Sequence, residues 1–116
     1  MPILTINSLP PSDAALIARM LAEVREAGAR ALDCPPANIW VIFQPVPPES
    51  YLVGTESPPV VIIKAQAGRS MQQRDAFVKA VSDAVAKGLS VAAGEVWIHY
   101  QEMSPADVWF GGRWAG

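Results

Sequence analysis

Pro2, directly after Met1, is the residue of this chain whose type and place could do the most chemistry. Methionine aminopeptidases remove Met ahead of a small residue, and the prolyl nitrogen so released is a secondary amine. Burial and a nearby cation disfavour its protonated form and bring its pKa toward neutrality, where it can act as a general base. A Met-Pro start is common in proteins without such chemistry, so its setting decides. Here Pro2 opens an apolar run, Ile3 to Ile6, of the kind that forms a buried strand. Its nitrogen is therefore expected to be fixed rather than loose in solvent. His99 is the only histidine and Cys34 the only cysteine, which argues against a His/Cys metal site and forbids an intrachain disulfide. A lone cysteine suits a reducing compartment. With no cationic partner evident in sequence, Cys34 reads as inert rather than nucleophilic.

The elements that must position Pro2 come from a chain of 116 residues, 51% of them apolar. That is enough for one modest core, and residues 1–116 read as a single domain. Nine basic residues against eleven acidic ones give a net charge of −2, and the cations are scattered rather than striped. Nothing there would neutralise a phosphate backbone, so nucleic acid is set aside. The amino terminus has no basic, long-apolar signal pattern, and no apolar run approaches the roughly 18 residues of a membrane span. The expected setting is soluble and cytoplasmic, with no membrane partner.

An ungapped internal repeat spaced by 57 residues organises the chain. Pro2 matches Pro59, Ile6 matches Ile63, Leu32 matches Leu89 and Trp40 matches Trp97. Gln44, Pro48 and Gly54 match Gln101, Pro105 and Gly111. The two repeats span 2–57 and 59–116. Each opens on a β-type run, Ile3 to Ile6 or Val60 to Ile63, and closes on a second, Ile39 to Phe43 or Val96 to Tyr100. Between them lies a helical pattern of about 20 residues. Its apolar positions are Ile17, Leu21, Val24, Gly28 and Leu32 in the first half, and Phe77, Val81, Ala84 and Leu89 in the second. Ser12 and Ser70 stand where N-caps belong; Pro35-Pro36 is the expected stop of the first helix.

A crossover helix makes the two strands of each half parallel. Joined, the halves predict an α+β fold: tandem β-α-β repeats forming a four-stranded mixed sheet with two helices on one face. The other face is also apolar and aromatic, which predicts oligomerisation. Trp97 and His99 share one side of the last strand, Ile98 and Tyr100 the other.

Met1-Pro2-Ile3 ahead of a β-α-β unit resembles the 4-oxalocrotonate tautomerase superfamily. The second half is similar in Pro59-Val60-Val61-Ile62-Ile63, Gly68-Arg69-Ser70, Glu102-Met103 and Gly111-Gly112. Val96 to Met103 also resembles a strand of macrophage migration inhibitory factor. The likeness covers nearly the whole chain as two fused copies. It implies Pro2 as the catalytic amino-terminal proline and Arg69 as the cation for a substrate carboxylate, a role a guanidinium fork suits. The residue matched to Arg69 in the first half is Ser12, so one site per chain is implied. Trp97 and His99 match pocket-lining positions, with interface packing and a structural histidine as their ordinary readings. Trp109 and Phe110 are expected to form an aromatic wall in a hairpin or loop that reaches a neighbouring subunit. Arg74 and Arg113 read first as surface residues.

The departures narrow the chemistry. The second arginine of 4-oxalocrotonate tautomerase falls at Trp97, and at Trp40 in the first half; the lysine of the migration inhibitory factor falls at Cys34. An arginine of cis-3-chloroacrylic acid dehalogenase falls at Gln66, which disfavours dehalogenation. The resemblance thus implies a keto-enol tautomerase acting on an α-keto or 2-hydroxy-dienoic acid, with Pro2 and Arg69 catalytic. Gln66, Trp97, His99, Trp109 and Phe110 would line the substrate, with no cofactor, no metal and a homotrimer as the assembly. Decarboxylation or aldehyde chemistry on the same fold, or a non-catalytic binding or signalling trimer, are the alternatives.

Overall fold

The computed structural model describes residues 2–52 and 56–116; Met1, and the repeat position Gly54, lie outside them. Strand β1 (Ile3–Ser8) leads into helix α1 (Ala14–Leu32) and strand β2 (Trp40–Pro45). A link containing a short turn of 3₁₀ helix at Pro48–Ser50 reaches β3 (Val60–Gln66), α2 (Met71–Leu89) and β4 (Trp97–Met103). Two short strands, β5 (Trp109–Phe110) and β6 (Arg113–Trp114), form a C-terminal hairpin. All four long strands exist as expected, and each runs two or three residues further at its C-terminal end.

The sheet order is β2-β1-β3-β4. Each helix-crossed pair is parallel, and the two pairs join through an antiparallel β1–β3 contact at the centre. Alternation sorts the strands into two faces. Leu4, Ile6, Val61, Ile63 and Ala65 point to the helices and meet Met20 and Val24 of α1 and Phe77, Val81 and Val85 of α2 in one core. The helices therefore cover one face, as expected. The opposite face keeps Trp40, Ile42 and Trp97 at 40%, 51% and 64% exposure, an uncovered apolar surface on the single chain.

Gly28 lets the helices approach. A Cβ there would stand 2.8 Å from Phe77 Cε1 and 3.2 Å from Ile39 Cδ1, so no larger residue fits without displacing the core. In the link, the half-buried Tyr51 hydroxyl donates to the Pro58 carbonyl, and Ser57 Oγ donates to the Tyr51 carbonyl at 2.7 Å. Burial raises the Tyr51 phenol above its ordinary value, so at neutral pH it remains a donor.

The helix ends depart from expectation at one point. Ser70 caps α2 in a full capping box with Gln73. Ser12, however, does not cap α1; Asp13 does, its carboxylate accepting from the Ala15 backbone N–H at 2.9 Å. The repeat spacing of 57 residues itself matches Asp13 to Ser70, so the two observed caps occupy equivalent positions, and Ser12 is the partner of Arg69. Pro35-Pro36 lies two residues past the C-cap, where it bars continuation of α1 as expected. The end itself is closed by Asp33, which turns left-handed, φ 52°, and whose N–H reaches back to the Ala29 and Arg30 carbonyls. Ser90 closes α2 the same way at φ 58°. Asp13→Ala should cost about 1 kcal/mol in urea unfolding while Ser12→Ala stays near neutral; equal effects would refute the assignment.

Candidate active site

Pro2 is fully buried at the entry to β1, and its carbonyl accepts from the Trp40 backbone N–H at 3.0 Å. The antiparallel register pairs Ile3 with Lys64. Carried one residue further, it sets Pro2 level with Ala65, the buried residue of β3 that pairs with Glu102 of β4. Central antiparallel pairing thus brings the start of β1 to the end of β3.

The end of β3 leads to Arg69. Gly68 adopts φ +109°, a conformation that favours glycine, and folds the chain sharply between β3 and α2. The Ala67 N–H donates to the Met103 carbonyl at 3.1 Å, tying the turn to β4. Held between this turn and the Ser70 cap, Arg69 is half-buried, and its Nη1 donates to the Gln66 carbonyl at 3.3 Å. Pro2, Gln66 and Arg69 therefore share one end of the sheet, with Pro2 just ahead of β1 and Arg69 in the turn that follows β3.

The aromatic residues divide. Phe110 stacks edge-on against Trp40 of its own chain with ring centroids 6.0 Å apart, and Trp109 meets Trp114 at 5.2 Å. The C-terminal hairpin thus turns back to β2 next to the Pro2 carbonyl, and Trp40 is an aromatic neighbour that the resemblance marked only as a departure. Trp97 and His99 lie elsewhere. Trp97 pairs with Val60 and donates its backbone N–H to the Pro59 carbonyl at 2.9 Å. It flanks Pro59 as Trp40 flanks Pro2, at the opposite end of the sheet. His99, level with Ile62, is exposed on the helix-free face. The single chain does not bring these two residues to Pro2.

Two further groups lie near the Pro2 end. Arg74 contacts Glu102 at 3.4 Å and lies 4.3 Å over the Tyr100 ring, so it braces α2 on β4 rather than standing free. Lys64 faces away from the helices beside Ile3 and Gln101, a cation the sequence reading passed over. Its only signal was a charge interrupting the apolar run of β3. The pronounced grooves of the single chain run between α1 and α2, past Ala22, Ala80 and Lys87, and along β2, past Leu21 and Ile42; Pro2 and Arg69 line neither. Among the described residues no group of His, Cys, Asp and Glu is arranged to hold a metal ion, and no helix is long and apolar enough to cross a membrane.

Residues 59–115 match the family model Tautomerase, described as tautomerase enzyme. The whole fold is shared with solved structures of low sequence identity. R7 fused 4-OT, a wild-type asymmetric trimer, superposes with a TM-score of 0.90 at 20% identity, covering 97% of this chain and 95% of that one. Pt0534 inactivated by 2-oxo-3-pentynoate gives 0.89 at 19% identity, with 97% and 94% covered. Malonate semialdehyde decarboxylase gives 0.76 at 19%, with 94% and 90% covered. No curated protein matches the sequence. Residues 59–115 thus carry a sequence match to the tautomerase family, and the full length shares the fold of these solved structures.

Proposed function

We propose that the chain is a keto-enol tautomerase in which Pro2, freed of Met1, is the general base for 1,3-proton transfer on an α-keto or 2-hydroxy-dienoic acid. The observation that carries this reading is the meeting of a buried Pro2 with the Arg69 turn at one end of the central strand pair. Burial disfavours the protonated amine, which keeps a secondary amine basic and unprotonated near neutral pH. The amine takes the proton of the 2-hydroxyl; the electron pair forms the C2 carbonyl, the double bonds shift, and the proton returns to a distal carbon. Arg69 holds the carboxylate and stabilises charge on the C2 oxygen as it develops. The Trp40–Phe110 stack supplies an apolar wall beside the base.

The acting form in this reading is a homotrimer. Trp40, Ile42 and Trp97 leave an apolar sheet face uncovered, and R7 fused 4-OT, of the same fold, is a trimer. Trp97 and His99, remote from Pro2 in their own chain, then line the site of a neighbour, and Gln66 contacts substrate beside Arg69.

Intact mass is expected to show loss of Met1; its retention leaves the Pro2 nitrogen an amide and ends the proposal. Isomerisation of phenylenolpyruvate and 2-hydroxymuconate, followed by absorbance, supplies the assay. Arg69→Ala should lower kcat/KM by about 10- to 100-fold, the range of one lost charge-assisted hydrogen bond, without lowering stability. An unchanged kcat/KM would remove Arg69 from the site. Carbon dioxide release from malonate semialdehyde, without isomerisation of either enol, would replace the tautomerase reading with a decarboxylase.

A further inference from the structure

We propose that Lys64 is a second cation of the Pro2 site and holds the amine in its free-base form; this rests on the reading of Pro2 as a base. Across the helix-free face, Trp40, Ile3, Lys64 and Gln101 stand side by side on the four strands at the rung adjoining Pro2. Lys64 is the only formal charge among them. It makes no ion pair or hydrogen bond among the described residues, so no neighbour neutralises it.

The repeat supplies an internal control. The position matched to Lys64 is Asn7, as Ser12 is matched to Arg69. Asn7 lies at the Pro59 end, where its side-chain amide donates to the Val60 carbonyl at 3.1 Å. Pro59 has an amide nitrogen and nothing there to tune. The end of the sheet that holds a potential amine has two cations on the positions concerned, and the end that holds an amide has none. A like charge beside an amine disfavours its protonation; Lys64 is exposed in the single chain, so solvent screens the effect and its size is modest.

Other charges at this end are Arg30 and Asp33 where α1 closes, Arg69, Arg74 and Asp75 where α2 opens, Glu102 on β4, and Asp107 and Arg113 in the C-terminal segment. Arg74 and Glu102 face each other and largely cancel. Replacing Lys64 leaves all of these in place, so the difference reads Lys64 alone.

The test needs no substrate. Full-length protein carrying isotopically labelled proline is titrated by nitrogen NMR, which follows protonation of the Pro2 amine directly. Lys64→Gln should raise the amine pKa by about half a unit to one unit, and Lys64→Arg should titrate like wild type. The acid limb of the kcat/KM profile should move up by the same interval, so activity below it falls about 3- to 10-fold while the plateau at high pH is kept. An amine pKa in Lys64→Gln unmoved from wild type would overturn the assignment, as would a shift that Lys64→Arg fails to restore. A wild-type spectrum with no titrating prolyl nitrogen would instead strike at the reading of Pro2 itself, and the two failures are distinct.

Discussion

Pro2→Ala is expected to lower kcat by about 10²- to 10⁴-fold, the range contributed by a positioned acid–base group. The variant is still processed by the aminopeptidase, but it exposes a primary amine without the ring that fills the buried entry to β1. Basicity is changed and the position of the nitrogen is loosened at once. Far-ultraviolet circular dichroism should be unchanged, because Pro2 contributes one carbonyl acceptor, to Trp40, and the alanine backbone keeps it. Steady-state rates on both enol substrates measure the effect. Equal rates for the variant and wild type would refute proline-based catalysis, and every assignment that leans on the amine would fall with it.

Phe77→Ala is the largest stability change foreseen, about 3 to 5 kcal/mol of destabilisation. Phe77 is 1% exposed and is the largest of the fully buried side chains. Its ring edge fills the space left by Gly28 and lies in the same core as Ile63 and Val85. Glycine at 28 cannot move in to close the cavity, since it has no side chain and its backbone is held within α1. Urea unfolding at one fixed protein concentration measures the loss without confusing it with assembly. A change under about 1 kcal/mol would mean that the helix pair can collapse onto the sheet and that the packing described here is looser than its geometry. By the same contact, filling position 28 with a larger residue should also destabilise the fold, through overpacking.

Much of this protein was legible in the order of its residues. Four strands and two helices follow from local periodicity, because alternation and the spacing of three and four are properties of neighbouring residues. Pro2 was legible as a candidate because it directly follows Met1 and opens an apolar strand run. Arg69 was legible as part of a turn, since Gly68 and the Ser70 cap act within a few residues of it. Where local rules competed, they misled by a residue or two. Ser12 looked like a cap by residue type although the repeat matches Ser70 to Asp13, and the two prolines lie two residues beyond the left-handed helix end at Asp33.

Tertiary structure alone decided which of these pieces meet. The antiparallel pairing of β1 with β3 joins strands from different repeats, and its register is set when the alternating apolar residues of both pack onto one helical layer. That register places the end of β3, with Arg69, at Pro2, and sets Lys64 one rung away. It also sends Trp97 and His99, paired with Val60 and Ile62, toward the other end, so two residues grouped with Pro2 by resemblance lie apart from it in the single chain. The Trp40–Phe110 stack has the same origin, a long return of the C-terminal hairpin that no local pattern encodes. Sequence marked Pro2 and the elements that hold it; the pairing of distant strands, settled by burial of a shared core, determined its neighbours.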